Sequence, residues 1–146
     1  AKAGAGVMAA RIADGSGFEL FCRVVKAQGG NEAVVRNPDL LPKAKLSRTL
    51  MSVKSGVVAR LDARKVGHAA VLLGAGRAFM EAELDYGAGL ELLKKVGDRV
   101  AKGEPVAVLH AADAARLDLG EREYREALVV AAKAQRPKPV GLEIIR

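Results

Sequence analysis

The sequence predicts an α+β fold in which a helical lead-in precedes a mixed or antiparallel sheet. Three observations carry this. Apolar residues recur at helical spacing before residue 30; from Lys45 the pattern shortens into strand-length runs bounded by glycines; and helical spacing returns after residue 113. A chain of 146 residues, 50% of them hydrophobic, is long enough for one ordinary core, or for a small domain with a helical segment attached. Aromatics supply only 3% and Trp is absent, so Val, Leu, Ile and Ala must fill the interior.

Taken in order, residues 7–13 (VMAARIA) read as the end of a helix stopped by Asp14-Gly15. Ser16 with Glu19 three places on is a capping-box pattern, and Phe18, Phe21, Cys22 and Val25 give the following helix its apolar face. Gln28-Gly29-Gly30 ends that helix at a glycine. Residues 31–44 hold Asn37-Pro38 and Leu41-Pro42, which favour turns and extended linker. The chain therefore divides into a helical segment, 1–44, and a mixed domain, 45–146. Leu46–Val53 and Gly56–Leu61 are strands joined by a turn at Lys54-Ser55-Gly56. Asp62 caps a helix over residues 63–73, whose Val66, Ala69, Ala70 and Leu73 face the core. Leu90–Val96 and Pro105–His110 are further strands, with turns at Gly97-Asp98 and Gly103-Glu104 between them. Residues 113–134 are a helix with Leu117, Tyr124, Leu128 and Ala131 on one face; Pro137 and Pro139 break it, and Val140–Ile145 is a closing strand.

The charge of +7 makes the chain basic, yet no run of five like charges occurs, and Lys43, Lys45 and Arg48 form the densest spot. That spread is a solvated surface, with an anionic substrate or an acidic neighbouring domain as other sources. So few aromatics leave little to stack on single-stranded nucleic acid, and no nucleic-acid partner is expected. Cys22 is the sole cysteine, which excludes an internal disulfide and fits a reducing cytoplasm; among helix-core residues it is a small buried thiol. No stretch reaches the ~18 apolar residues of a membrane span. AKAGAGVMAA lacks the pattern of a signal peptide, and an opening Ala1 in place of Met reads as a cut or processed end.

Few groupings could carry chemistry. LGAGR (73–77) has the glycines and arginine of a phosphate loop, but a phosphate loop leads into a helix, whereas this one follows a helix. At the negative end of the helix dipole, Gly74 and Gly76 are first a C-cap and tight loop, with Arg77 placed to satisfy terminal carbonyls. His68 and His110 are distant in sequence, with no HxxxH or CxxC, so no metal site is expected. His110 and Asp113 are either a base with its orienter or a strand-end side chain followed by a helix N-cap. Glu121, Glu123 and Glu126, interleaved with Arg122 and Arg125, form a solvated helix face with i,i+3 and i,i+4 pairs. VGDRVAKGEPVAVLHA (96–111) resembles the hairpin of biotinyl and lipoyl carrier domains, although no Met-Lys-Met or Asp-Lys-Ala tip stands at a matching distance. What remains is an α/β-hammerhead-like unit with a barrel-sandwich-like hairpin. A non-catalytic carrier or binding module, modified at Lys102, Lys94 or Lys95, is the alternative reading.

The ordered motifs AQGG (27–30), SGVV (55–58), LGAGR (73–77) and VGDRVAKGEP (96–105) resemble the C-terminal third of pyrimidine-nucleoside and thymidine phosphorylases, over about Ala9 to Ala134. The resemblance implies a cytoplasmic pentosyltransferase that cleaves pyrimidine nucleosides with phosphate, giving free base and pentose-1-phosphate. It implies phosphate as co-substrate, no other cofactor, and a homodimer formed through the N-terminal portion. The family's lysine-histidine-serine phosphate segment and its base-binding Arg, Ser and Lys belong to that portion, and none of these motifs occurs here. By this resemblance residues 1–44 end the central phosphate-binding domain, and residues 45–146 are scaffold and cleft wall, inactive alone. Gly74, Gly76 and Arg77 then begin a loop, reaching Asp85, at the edge of the closing cleft.

Overall fold

The structure, a computed structural model, describes residues 2–77, 80 and 83–132. It falls into two units, residues 1–42 and 43–146.

The first unit is helical. Its α1 (Lys2–Ala13) extends well before the expected residues 7–13, and α2 (Ser16–Ala27) lies where the spacing placed it. The capping box at its start does not form. Gly15, at φ 75°, takes the N-cap position, and the Asp14 carboxylate accepts the Ser16 N–H at 2.8 Å. Moving the cap one residue upstream leaves the Ser16 hydroxyl buried without a partner among the described residues. Glu19 instead receives both terminal nitrogens of Arg36, at 2.9 and 2.8 Å, a paired geometry that a lone backbone N–H cannot match. The expected linker contains a short helix, α3 (Glu32–Arg36), followed by a 3-10 turn at Pro38–Leu40. Asn31 and Asn37 start these two turns by accepting the Ala33 and Asp39 N–H groups.

The second unit holds two antiparallel three-stranded sheets. One has the order β1-β5-β3 and the other β4-β2-β6, built from β1 (Leu46–Met51), β2 (Gly56–Leu61), β3 (Gly89–Leu92), β4 (Arg99–Val100), β5 (Pro105–Ala111) and β6 (Leu128–Ala131). The turn at residues 54–56 thus carries the chain from one sheet to the other; β1 and β2 are not paired. The turns at 97–98 and 103–104 do the same, so β4 and β5 also lie in different sheets. Helices α4 (Ala63–Ala70) and α5 (Ala114–Ala127) pack together over a core that includes Leu50, Val58, Leu73, Leu109, Leu117 and Tyr124. The Tyr124 hydroxyl is buried and donates to the Val106 carbonyl at 3.2 Å, and burial raises its pKa.

The final helix is shorter than its spacing suggests. It ends at Ala127, and Leu128 turns extended at φ −91°, ψ 121°. Leu128 to Ala131 then pair with β2 in the register Leu61↔Leu128 to Val57↔Ala131. The β-branched Val129 and Val130 suit this ladder better than another helical turn. The expected closing strand over residues 140–145 lies outside the described residues.

Candidate functional site

The segment around Gly74 is built by α4. The Asp62 carboxylate caps this helix by accepting the Arg64 and Lys65 N–H groups at 3.1 and 3.2 Å. Ala69 and Leu73 are fully buried, fixing the inner face. Beyond Ala70 the helix widens into a π turn, Val71–Ala75, and stops where Gly74 adopts φ 115°. The Gly74 carbonyl accepts the Asp85 N–H at 3.0 Å, and the Asp85 carboxylate accepts the Gly87 N–H at 2.9 Å. These bonds close the neck of the connection that runs from Gly76 towards β3.

Arg116 of α5 completes this neck. Its Nη1 would lie 2.5 Å from a Cβ built on Gly74, and the Cβ atoms of Asp85 and Ala88 would lie 3.5 Å away. Glycine therefore serves twice here, by its backbone angle and by the space it leaves for a guanidinium. Arg77 is exposed and makes no hydrogen bond to the terminal carbonyls among the described residues; the Gly74 carbonyl is taken by a backbone N–H. The segment is a helix C-terminus with its Gly74 carbonyl occupied, and no N-terminal amide cradle for phosphate is present in it.

The histidines sit in separate settings. His68 Nδ1 is 3.3 Å from Glu123 Oε1, beside a surface basin of about 430 Å³ lined by Asp62, Arg64, Lys65, His68 and Glu123. His110 Nε2 faces Glu91 Oε1 at 3.2 Å, on the open face of its sheet. Asp113 does not orient it. Its carboxylate accepts the Arg116 N–H at 2.9 Å as the N-cap of α5, so the strand-end and cap alternative is the one found. Among the described residues no three His, Cys, Asp or Glu side chains are grouped to hold a metal ion. Cys22 is buried, as its surroundings in sequence predict.

The acidic face of α5 is more than solvated. Glu121 pairs with Arg125 four residues on, as expected, but it also accepts Arg48 from β1 at 2.9 Å, while Asp118 accepts the same guanidinium at 2.7 Å. Glu126 accepts Lys65 from α4 at 2.6 Å, which lowers its pKa and raises that of Lys65. These ties cross between elements, so no local spacing announces them. Of the carrier-type lysines, Lys94 is held by Glu104 and by the Arg99 carbonyl, while the Lys102 N–H donates to Ser55 Oγ. Among the described residues no helix is long and apolar enough to cross a membrane.

In the helical unit, Phe18, Phe21, Val25, Val34, Val35 and Leu41 line an almost wholly apolar groove of about 490 Å³. Cys22 is the unit's only buried residue among those described, and Phe18, Phe21 and Leu41 are each about half exposed.

Comparison with known proteins gives these features a context. The family model described as pyrimidine nucleoside phosphorylase C-terminal domain matches residues 57–131. The pyrimidine-nucleoside phosphorylase of Bacillus subtilis is 39% identical over 125 residues, 86% of this chain and 29% of that protein. Those of Geobacillus stearothermophilus and Staphylococcus haemolyticus are 39% and 37% identical, over 85% and 86% of this chain and 29% of each relative. The chain thus spans under a third of the length of the curated relatives it matches.

Proposed function

The chain belongs to the pyrimidine nucleoside phosphorylase C-terminal domain family, and we propose that it is the C-terminal part of a pyrimidine-nucleoside phosphorylase. In that enzyme phosphate displaces the base: the N-glycosidic bond breaks, a carbon–oxygen bond to phosphate forms, and free base and pentose-1-phosphate leave. The single observation carrying this reading is the identity to such phosphorylases, sustained over 86% of the chain. The residues here act as scaffold and cleft wall. The Gly74 neck offers no amide cradle, and His68 and His110 are each paired with a glutamate, half-buried Glu123 and exposed Glu91. Residues 1–44 end the central phosphate-binding domain, a role supported by the uncovered apolar groove of the helical unit. Gly74, Gly76 and Arg77 stand at the cleft edge, a position suggested by the tied neck with an exposed arginine just beyond it.

The test compares this chain alone with a chimera in which it replaces the corresponding part of the Bacillus subtilis phosphorylase. Uridine and thymidine phosphorolysis is expected only in the chimera; turnover by the chain alone overturns the scaffold reading. Within the chimera, Arg77→Ala is expected to lower turnover at least tenfold without changing the melting temperature. Unchanged turnover would reduce the neck to a helix cap.

A further inference from the structure

We propose that one end of the second unit, where the turns at residues 52–55, 94–99 and 101–104 meet, is a docking surface for an acidic, partly aliphatic segment of another protein. The three turns are bonded into one platform. The Ser52 N–H donates to the Glu104 carbonyl at 2.9 Å, and the Gly103 N–H to the Ser52 carbonyl at 2.8 Å. The Lys102 N–H donates to Ser55 Oγ at 2.8 Å, and the hydroxyl of buried Ser52 to the Lys54 carbonyl at 2.7 Å. The remaining turn is fixed to β2, where the Val58 carbonyl accepts the Gly97 N–H and the Val58 N–H donates to the Asp98 carbonyl, both at 2.9 Å. A surface fixed before its partner arrives loses little freedom on binding.

Its charge is one-sided. These turns carry Lys54, Lys94, Lys95, Arg99 and Lys102 against Asp98 and Glu104. Both carboxylates are engaged within the platform: Asp98 accepts the Lys95 N–H at 2.7 Å, while Glu104 accepts the Ala101 N–H at 2.7 Å and holds Lys94. The exposed side chains of Lys54, Lys95, Arg99 and Lys102 have no acidic partner among the described residues. Val53 and Val96, next in sequence to Lys54 and Lys95, are 70% and 40% exposed. Cations beside aliphatic tips are complementary to carboxylates interleaved with aliphatic side chains. A second copy of this chain, itself at +7, would be repelled. No aromatic ring stands on these turns to stack on a nucleic-acid base, and two valines give a lipid surface little to bury.

Binding assays on the full chain test this, with labelled peptides of Glu-Glu-Leu and Glu-Glu-Ser repeats, double-stranded DNA, and vesicles of phosphatidylserine and phosphatidylcholine. The Glu-Glu-Leu peptide is expected to bind tightest, and Lys54→Glu/Lys102→Glu to weaken it at least tenfold. Arg64→Glu/Arg122→Glu makes the same change in net charge on α4 and α5, and is expected to weaken it less than threefold. Equal losses in the two variants would trace the effect to net charge and overturn the proposal. Tighter binding of DNA or vesicles, or no binding of the peptide, also overturns it. Where the charge reversal lowers the melting temperature, Lys54→Gln/Lys102→Gln replaces it, with a loss of at least threefold expected and no loss overturning the proposal. Val53→Ser/Val96→Ser is expected to bring the Glu-Glu-Leu peptide down to the affinity of the Glu-Glu-Ser peptide. An unchanged preference for leucine would place the contact elsewhere and overturn it.

Discussion

Gly120 and Leu73 define how closely the π turn that ends α4 can approach α5. A Cβ on Gly120 would lie 2.6 Å from Leu73 Cδ2 and 2.7 Å from its Cγ, and Leu73 is fully buried. Gly120→Ala gains about 1 kcal/mol of helix propensity but costs about 1–3 kcal/mol of overpacking, so the net effect is destabilising. The expected result is a lower urea midpoint with an unchanged slope; a wild-type midpoint would show that the helices can part without loss. Gly74→Ala adds a strained backbone angle to a collision with Arg116, and about 1–3 kcal/mol is expected from the angle alone. Its cost should fall when Arg116→Ala clears the space, which a double-mutant cycle measures.

At the scale of elements, the second unit starts its helices with aspartates and ties them with carboxylates. Asp62→Ala and Asp113→Ala should each cost about 1 kcal/mol by thermal unfolding, because each carboxylate accepts first-turn N–H groups. Glu121 makes the pH dependence concrete. Burial opposes its ionisation, but hydrogen bonds from Arg125 and Arg48 prevail and hold its carboxyl below the ordinary glutamate value of 4.5. Since the folded form has the lower pKa, its stabilisation is complete above that value and is lost as the pH falls below it. Glu121→Gln should therefore lower stability at pH 7 and flatten its decline below about pH 4.5. A decline of wild-type steepness in the variant would remove Glu121 from the acid response.

These elements also show what the sequence made legible. The Asp62 cap, the buried stripe through Leu73 and the glycine stop are local, so spacing alone located them. The helix expected through residues 113–134 failed at Leu128, since Leu128 and Ala131 continue the helical spacing of Leu117 and Tyr124. Only the ladder to β2, some seventy residues earlier, turns them into a strand. Distant partners likewise redirected Glu19 to Arg36 and His110 to Glu91, away from the neighbours their spacing suggested. The Gly74 neck was visible as a helix end, but Arg116, forty residues on, carried no signal that it would lie over that glycine.

For the molecule as a whole, the contrast in burial between the two units sets the order of opening. In the helical unit only Cys22 is buried among the described residues, and Phe18, Phe21, Leu20 and Leu41 remain about half exposed. The second unit has a continuous core from Leu50 to Val130 and two ladders of antiparallel pairing. Local opening free energy follows buried apolar contact, so the helical unit should open at far lower cost. Limited trypsin digestion is expected to cut first at Arg23, Lys26 or Arg36, whose exposed sites lie on α2 and α3, while Arg48 and Arg125 stay uncut because β1 and α5, which carry them, are packed into the core of the second unit. In the chimera with the Bacillus subtilis phosphorylase, the same three sites should become resistant if the apolar groove is covered there. Early cleavage within residues 46–61 or 105–127 would show that the mixed unit depends on a neighbour as much as the helices do.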